Sequence, residues 1–159
     1  MPTLAIMFTM TTYGTWLRGD ARGWVENGII FPPNPTLESI DRLRMKDTPF
    51  YFSPEEQFAT AEAIGHSLTT RLNLDVLALC LQSWHSHYVV AATSADVADI
   101  AKCAKDAARW HLRPGRRIWG TDYDKRFCFD EATVHRRVNY VERHNLQSGW
   151  AARPWSFLK

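Results

Sequence analysis

Leu74-Asp75-Val76-Leu77-Ala78-Leu79-Cys80-Leu81-Gln82-Ser83-Trp84-His85-Ser86-His87-Tyr88-Val89-Val90-Ala91-Ala92 is the stretch whose reading decides the fold. Leu74 to Leu81 is a nearly continuous apolar run with the length of a buried strand, and Trp84 to Ala92 reads as a second strand close behind it. Gln82 and Ser83 leave room only for a short turn, so the two runs are predicted to pair as an antiparallel hairpin. Side chains at i and i+2 of a strand project from the same face. His85 and His87 therefore point one way and Ser86 the other. Two imidazoles on one face can reach a single metal ion and should release it as they protonate, below pH ~6. The same pattern also serves a cross-strand or surface pair with no metal.

Upstream of the hairpin, Ser53-Pro54-Glu55-Glu56 combines a capping serine, a proline suited to the first helical position and the glutamate of a capping box. Phe58, Ala61, Ile64, Leu68 and Leu72 continue it at helical spacing. Leu4 to Tyr13 is rich in β-formers and reads as a first strand. Between them, Gly19 to Tyr51 is broken by Gly23, Gly28, Pro32, Pro33 and Pro35 and shows little periodicity, which predicts a long Pro-rich insertion or lid over about residues 19–52. Downstream, Ser94 is expected to open a helix with Asp96 in its first turn, and Pro114-Gly115 to stop it. Arg116 to Phe129 is aromatic and basic, fit for an edge strand. Asp130 can cap a last helix that runs through Val134, Val138 and Val141 to about Gly149. Strand, helix, strand, strand, helix, strand, helix is an α+β order, and it predicts a ferredoxin-like antiparallel sheet with helices packed on it. The 159 residues fit one domain, 1–159.

The hydrophobic share of 45% and charged share of 23% are those of a globular chain. Cys80, Cys103 and Cys128 form no CxxC pair and no zinc spacing, which points to structural thiols in a reducing compartment. Met1 to Met10 lacks a basic leader, and no apolar run approaches the ~20 residues that cross a membrane, so a cytoplasmic protein is expected. A net charge of +2 does not argue for nucleic acid, but its distribution is uneven: Lys102 to Arg126 holds eight cations against three acids. Lys102, Lys105, Arg109 and Arg113 share one helical stripe and are candidates for phosphate contacts, although a solvated helix face has the same pattern.

Tyr140 and His144 stand at i and i+4 on the last helix and so share a face. At 100° per residue, Tyr140 falls roughly 120° from the centre of the valine stripe, on the side that carries Arg136, Arg137 and His144. There its hydroxyl could meet a phosphate, or the ring could simply cover the helix margin. If this helix packs over the histidine face, His144 becomes a third ligand and Tyr140 stands beside the ion. A tyrosine with a pKa of ~10 must lose its proton to attack, and a cation together with Arg136 and Arg137 would favour the phenolate.

At these residues the chain resembles the single-tyrosine HUH transposases, and among them the REP-associated tyrosine transposases. Gln82-Ser83-Trp84-His85-Ser86-His87-Tyr88-Val89-Val90 resembles their metal strand at both histidines, with Ser86 in the hydrophobic position and Trp84 where asparagine is usual. Tyr140-Val141-Glu142-Arg143-His144-Asn145-Leu146-Gln147-Ser148-Gly149 runs without a gap alongside their tyrosine helix, and Ala151-Ala152-Arg153-Pro154-Trp155-Ser156 alongside the tail after it. Trp119-Gly120 and Thr12-Tyr13-Gly14-Thr15-Trp16 resemble further family segments. The resemblance implies Tyr140 as nucleophile and His85, His87 and His144 as ligands of Mg²⁺ or Mn²⁺, with Asn145 as the fallback ligand. It further implies cleavage of single-stranded DNA with a hairpin through a 5′-phosphotyrosine, with the choice between monomer and homodimer open. Trp110, beside Arg109, is the tryptophan expected first to stack on a base. Three rival readings remain: a catalytically silent hairpin-binding domain, a hydrolase in which water attacks, and a structural interaction module.

Overall fold

Ten elements follow one another in the computed structural model, which describes residues 1–159: β1 (Ala5–Thr11), β2 (Trp24–Glu26), β3 (Ile29–Phe31), α1 (Pro35–Arg44), α2 (Pro54–Arg71), β4 (Val76–Leu81), β5 (His85–Ala91), α3 (Val97–Leu112), β6 (Asp124–Cys128) and α4 (Glu131–Gln147). β4 and β5 pair as the hairpin the sequence predicts, with Cys80 opposite His87 and Leu81 opposite Ser86. β1 lies antiparallel between β5 and β6, so the sheet order is β4-β5-β1-β6. This is the ferredoxin-like arrangement, with α2 and α3 on one face and α4 on the other.

The alternation of each strand separates the two faces. Ile6, Phe8 and Met10 of β1 join Tyr88 and Val90 of β5 in a core of 22 buried residues beneath α2 and α3. Ala5 and Met7 join Val89, Cys80, Cys128 and Val141 in a cluster of only seven beneath α4. A single buried valine contributes on the order of 1.5–3 kcal/mol, so the seat of α4 depends on few contacts. One is polar: buried Asn145 donates from Nδ2 to Leu79 O at 2.9 Å and Ala152 O at 3.0 Å, tying the helix end to β4 and to the C-terminal tail.

The capping box at α2 forms as predicted, with Glu56 N 3.3 Å from Ser53 Oγ and Ser53 N 2.9 Å from the Glu56 carboxylate. α3 begins two residues later than expected. Asp96, not Ser94, is its cap, and its carboxylate accepts from Ala98 N at 2.8 Å. An ionised acceptor outcompetes the hydroxyl for the free amides of the first turn. The segment over 19–52, expected from the sequence as a long Pro-rich insertion or lid, carries secondary structure of its own. It holds the β2–β3 hairpin, turned through Asn27 and Gly28 at φ 52° and 77°, and then α1, capped by Asn34 with Pro35 in its first turn. No helix is long and apolar enough to cross a membrane.

Candidate active site

His85 and His87 project from β5 toward α4, and His144 reaches down from the last turn of α4 to meet them. The three rings sit 4.8 Å (His85–His87), 4.9 Å (His87–His144) and 5.5 Å (His85–His144) apart, centre to centre. One ligand nitrogen from each lies within 4.8 Å of the other two. Nitrogens bound to one tetrahedral ion at ~2.1 Å stand roughly 3.4 Å apart, so a modest inward turn of the rings closes the set. Ser86 faces the opposite core, where its hydroxyl donates to Cys80 O at 2.8 Å. The polar residue in the motif's hydrophobic position is thus satisfied locally and leaves the histidines undisturbed.

The donor set suits a cation. His85 Nδ1 is buried without any hydrogen-bond partner, a state that costs free energy unless something binds the lone pair or proton. His87 Nδ1 lies 2.8 Å from Thr9 Oγ1, and His144 Nδ1 lies 2.8 Å from Tyr140 O. Such contacts fix ring orientation in metal sites. Burial, with the nearby His144 and Arg22, pushes His85 down to about 4. Burial, with the two other imidazoles, pushes His87 down to about 3. Both rings therefore stay neutral and able to ligate well below the pH ~6 at which the sequence alone would have them protonate.

Tyr140 stands at the open side of this cluster, its ring 5.3 Å from His87 and 4.7 Å from His144. It is 40% exposed, accessible to a bulky phosphodiester. Arg136 lies one turn before it on the same helix face, and Arg137 follows, turned toward the end of β6 near Cys128. Of the other tyrosines, Tyr88 is fully buried against Phe8, Tyr13 accepts Lys46 N at its hydroxyl, and Tyr123 packs toward Phe8 from the far side of the sheet. Asn145, the fallback ligand, holds two backbone carbonyls through its amide nitrogen, while its Oδ1 is buried without a hydrogen-bond partner.

The basic stripe is not brought to the histidines. α3 packs on the opposite face of the sheet, and the stripe is largely engaged there. Asp106 receives Lys102 at 2.6 Å and Arg109 at 3.2 Å. Lys105 donates to the carbonyls of Gly120, Thr121 and Asp122, and Arg113 to Trp110 O. Trp110 itself is half exposed beneath the Arg71 guanidinium. The sequence reading missed a different group. The Trp84 ring lies tilted 4.2 Å from the His85 ring, Trp16 lies against Trp84, and Arg22 covers Trp16. The position of Trp84 next to the His-x-His pair was the one signal available.

No family model matches the sequence, and no curated protein matches it. Among solved structures, the chain shares its fold with a REP-associated tyrosine transposase bound to a REP hairpin, at 10% identity and TM-score 0.55, covering 99% of this chain and 76% of that one. A Deinococcus radiodurans R1 crystal structure with a provisional transposase assignment aligns at 15% identity and TM-score 0.44, covering 91% of this chain and 92% of that one.

Proposed function

We propose that this chain is a single-tyrosine transposase of the HUH type, which cuts and rejoins single-stranded DNA bearing a hairpin. The observation that carries the reading is the convergence of His85, His87 and His144 with an exposed Tyr140 where β5 meets α4. The DNA hairpin in the similar transposase structure supports the choice of substrate.

A phosphodiester resists attack because its oxygens are negative. A divalent ion, Mg²⁺ or Mn²⁺, would neutralise that charge and polarise phosphorus. The chain's part is to hold three neutral imidazoles on one side of the phosphate and the Tyr140 hydroxyl beside them. Tyr140 Oη loses its proton to water and attacks phosphorus. The bond from phosphorus to O3′ breaks, and O3′ leaves as a free 3′-hydroxyl after taking up a proton. The 5′-phosphate remains on Tyr140 as a phosphodiester, so an incoming 3′-hydroxyl can reverse the step and join strands. Arg136, one turn before Tyr140 on the same helix face, would draw the phosphate electrostatically. Lys102, Arg109 and Arg113, across the sheet, would hold phosphates of the substrate away from the cut.

The test is a covalent adduct. Wild-type protein incubated with Mn²⁺ and a labelled hairpin oligonucleotide should yield a denaturation-resistant protein–DNA band. Tyr140→Phe and chelated samples should yield none. Cleavage without an adduct would instead favour attack by water.

A further inference from the structure

Arg22 and Trp16 come from the segment between β1 and α2, yet they end beside the histidine cluster. The amide of Thr12 donates to Trp84 O at 2.8 Å, which draws this segment over the β4–β5 turn. The Trp16 ring is then fixed by its Nε1, which donates to Gly23 O at 2.8 Å. The Arg22 guanidinium lies 3.8 Å from the centre of that ring and 5.1 Å from that of Trp84. It is held there by Asp20, at 2.7 and 2.8 Å, and by Thr15 O at 2.9 Å. Trp84 in turn contacts His85. The result is a run of planar groups, Trp16, Arg22, Trp84 and His85, that leads from the surface to the cluster.

Two properties set this run apart from core packing. Trp16 is 39% exposed and the Arg22 side chain 44% exposed, although both are fixed by hydrogen bonds. A rigid, solvated aromatic plane gains little for the fold. Asp20 also neutralises Arg22, so the guanidinium offers a flat surface more than a free charge. Rigid planes of this kind bind nucleobases, because every base has a π-face.

We infer that Trp16 and Arg22 form a ledge on which an unpaired nucleobase of single-stranded DNA stacks, one ring away from the histidine cluster. The inference extends the proposed function by locating one nucleotide of its substrate, and it rests on that reading only for the DNA. The base is taken by its face, so the ledge accepts any base and adds affinity without adding a phosphate contact.

The test measures binding by anisotropy with a 5′-fluorescein 12-nucleotide oligothymidylate in EDTA, where no cleavage step enters. Trp16→Leu, which keeps apolar bulk and loses the aromatic face, should weaken binding roughly five- to hundredfold. Trp16→Phe should stay within about threefold of wild type. The dependence of affinity on salt should keep its slope, because no phosphate contact is lost. Arg22→Lys, which keeps the charge and loses the plane, should weaken binding several-fold, and it carries the test if Trp16→Leu fails to fold. Wild-type affinity in both Trp16→Leu and Arg22→Lys overturns the ledge, as does a Trp16→Phe loss equal to that of Trp16→Leu. Binding lost as expected with no covalent adduct in wild type would sink the transposase reading and leave the ledge standing. An adduct formed with binding unaltered in the variants would do the reverse.

Discussion

His144 Nδ1 lies 2.8 Å from the carbonyl oxygen of Tyr140, one turn earlier on α4. A carbonyl can only accept, so Nδ1 carries the proton and the lone pair of His144 sits on Nε2, the atom free to ligate. The peptide of the candidate nucleophile thereby sets the tautomer of a candidate ligand. His144→Ala should weaken Mn²⁺ binding at least tenfold by calorimetry. Three imidazoles without a carboxylate also favour a transition metal over Mg²⁺, which prefers oxygen and keeps its water. Mn²⁺ should bind at least tenfold more tightly than Mg²⁺, and equal affinities would mean that oxygen ligands dominate the site.

The pH response follows from burial. His85 and His87 in the folded chain lie at about 4 and 3, below the ordinary 6.5 of imidazole, because burial disfavours the charged ring. Between those values and 6.5 the unfolded chain binds more protons, so stability falls as pH drops through that window. In EDTA the thermal midpoint should fall from pH 7 to pH 4. The double variant His85→Asn/His87→Asn should flatten that slope. Parallel profiles for the two proteins would place the acid sensitivity elsewhere.

Asn145 should prove structural. Asn145→Ala strips the donor from two backbone carbonyls and opens a small cavity, at a cost of about 2–4 kcal/mol. A fall in the urea midpoint with Mn²⁺ affinity unchanged below the transition is the expected result. Loss of metal affinity in protein that is still folded would restore Asn145 as a ligand.

Within the stripe, the four cations should behave unequally. Lys102 and Arg113 reach solvent, whereas Lys105 is partly buried, with desolvation lowering its pKa, and holds the 120–122 turn. Lys102→Ala/Arg113→Ala should reduce the salt slope of hairpin binding by about one or two units and leave the melting temperature near wild type. Lys105→Ala should lower the melting temperature instead. An unchanged salt slope in the double variant would confine the DNA path to the α4 face.

What could be read from the sequence was local or periodic. The Leu74–Ala92 hairpin, the Ser53 capping box and the i, i+4 pair of Tyr140 and His144 each declare themselves within a few residues. The meeting of β5 with α4 was legible only because the valines of α4 mark the side that packs. The segment over 19–52 hid its structure for a physical reason. β2 and β3 are three residues each, and α1 buries no residue, so neither leaves a hydrophobic period. Asn27-Gly28 and Asn34-Pro35 were the readable signals there. Arg22 and Trp16 could not be placed, since their approach to His85 depends on Thr12 and Trp84 pairing across 72 positions of chain. The neutralisation of the stripe by Asp106 was legible at i−4 and i+3, but it carries weight only once Asp106 is known to be buried.

In the proposed function, Tyr140 carries the DNA strand. The most direct measurement digests the covalent product formed with Mn²⁺ and a labelled hairpin oligonucleotide, and identifies the labelled peptide by mass spectrometry. Label is expected on one peptide only, the one containing Tyr140, with phosphate attached to the tyrosine oxygen and a free 3′-hydroxyl on the released strand. Label on Tyr123 or Tyr13, or an adduct formed by Tyr140→Phe, would contradict it.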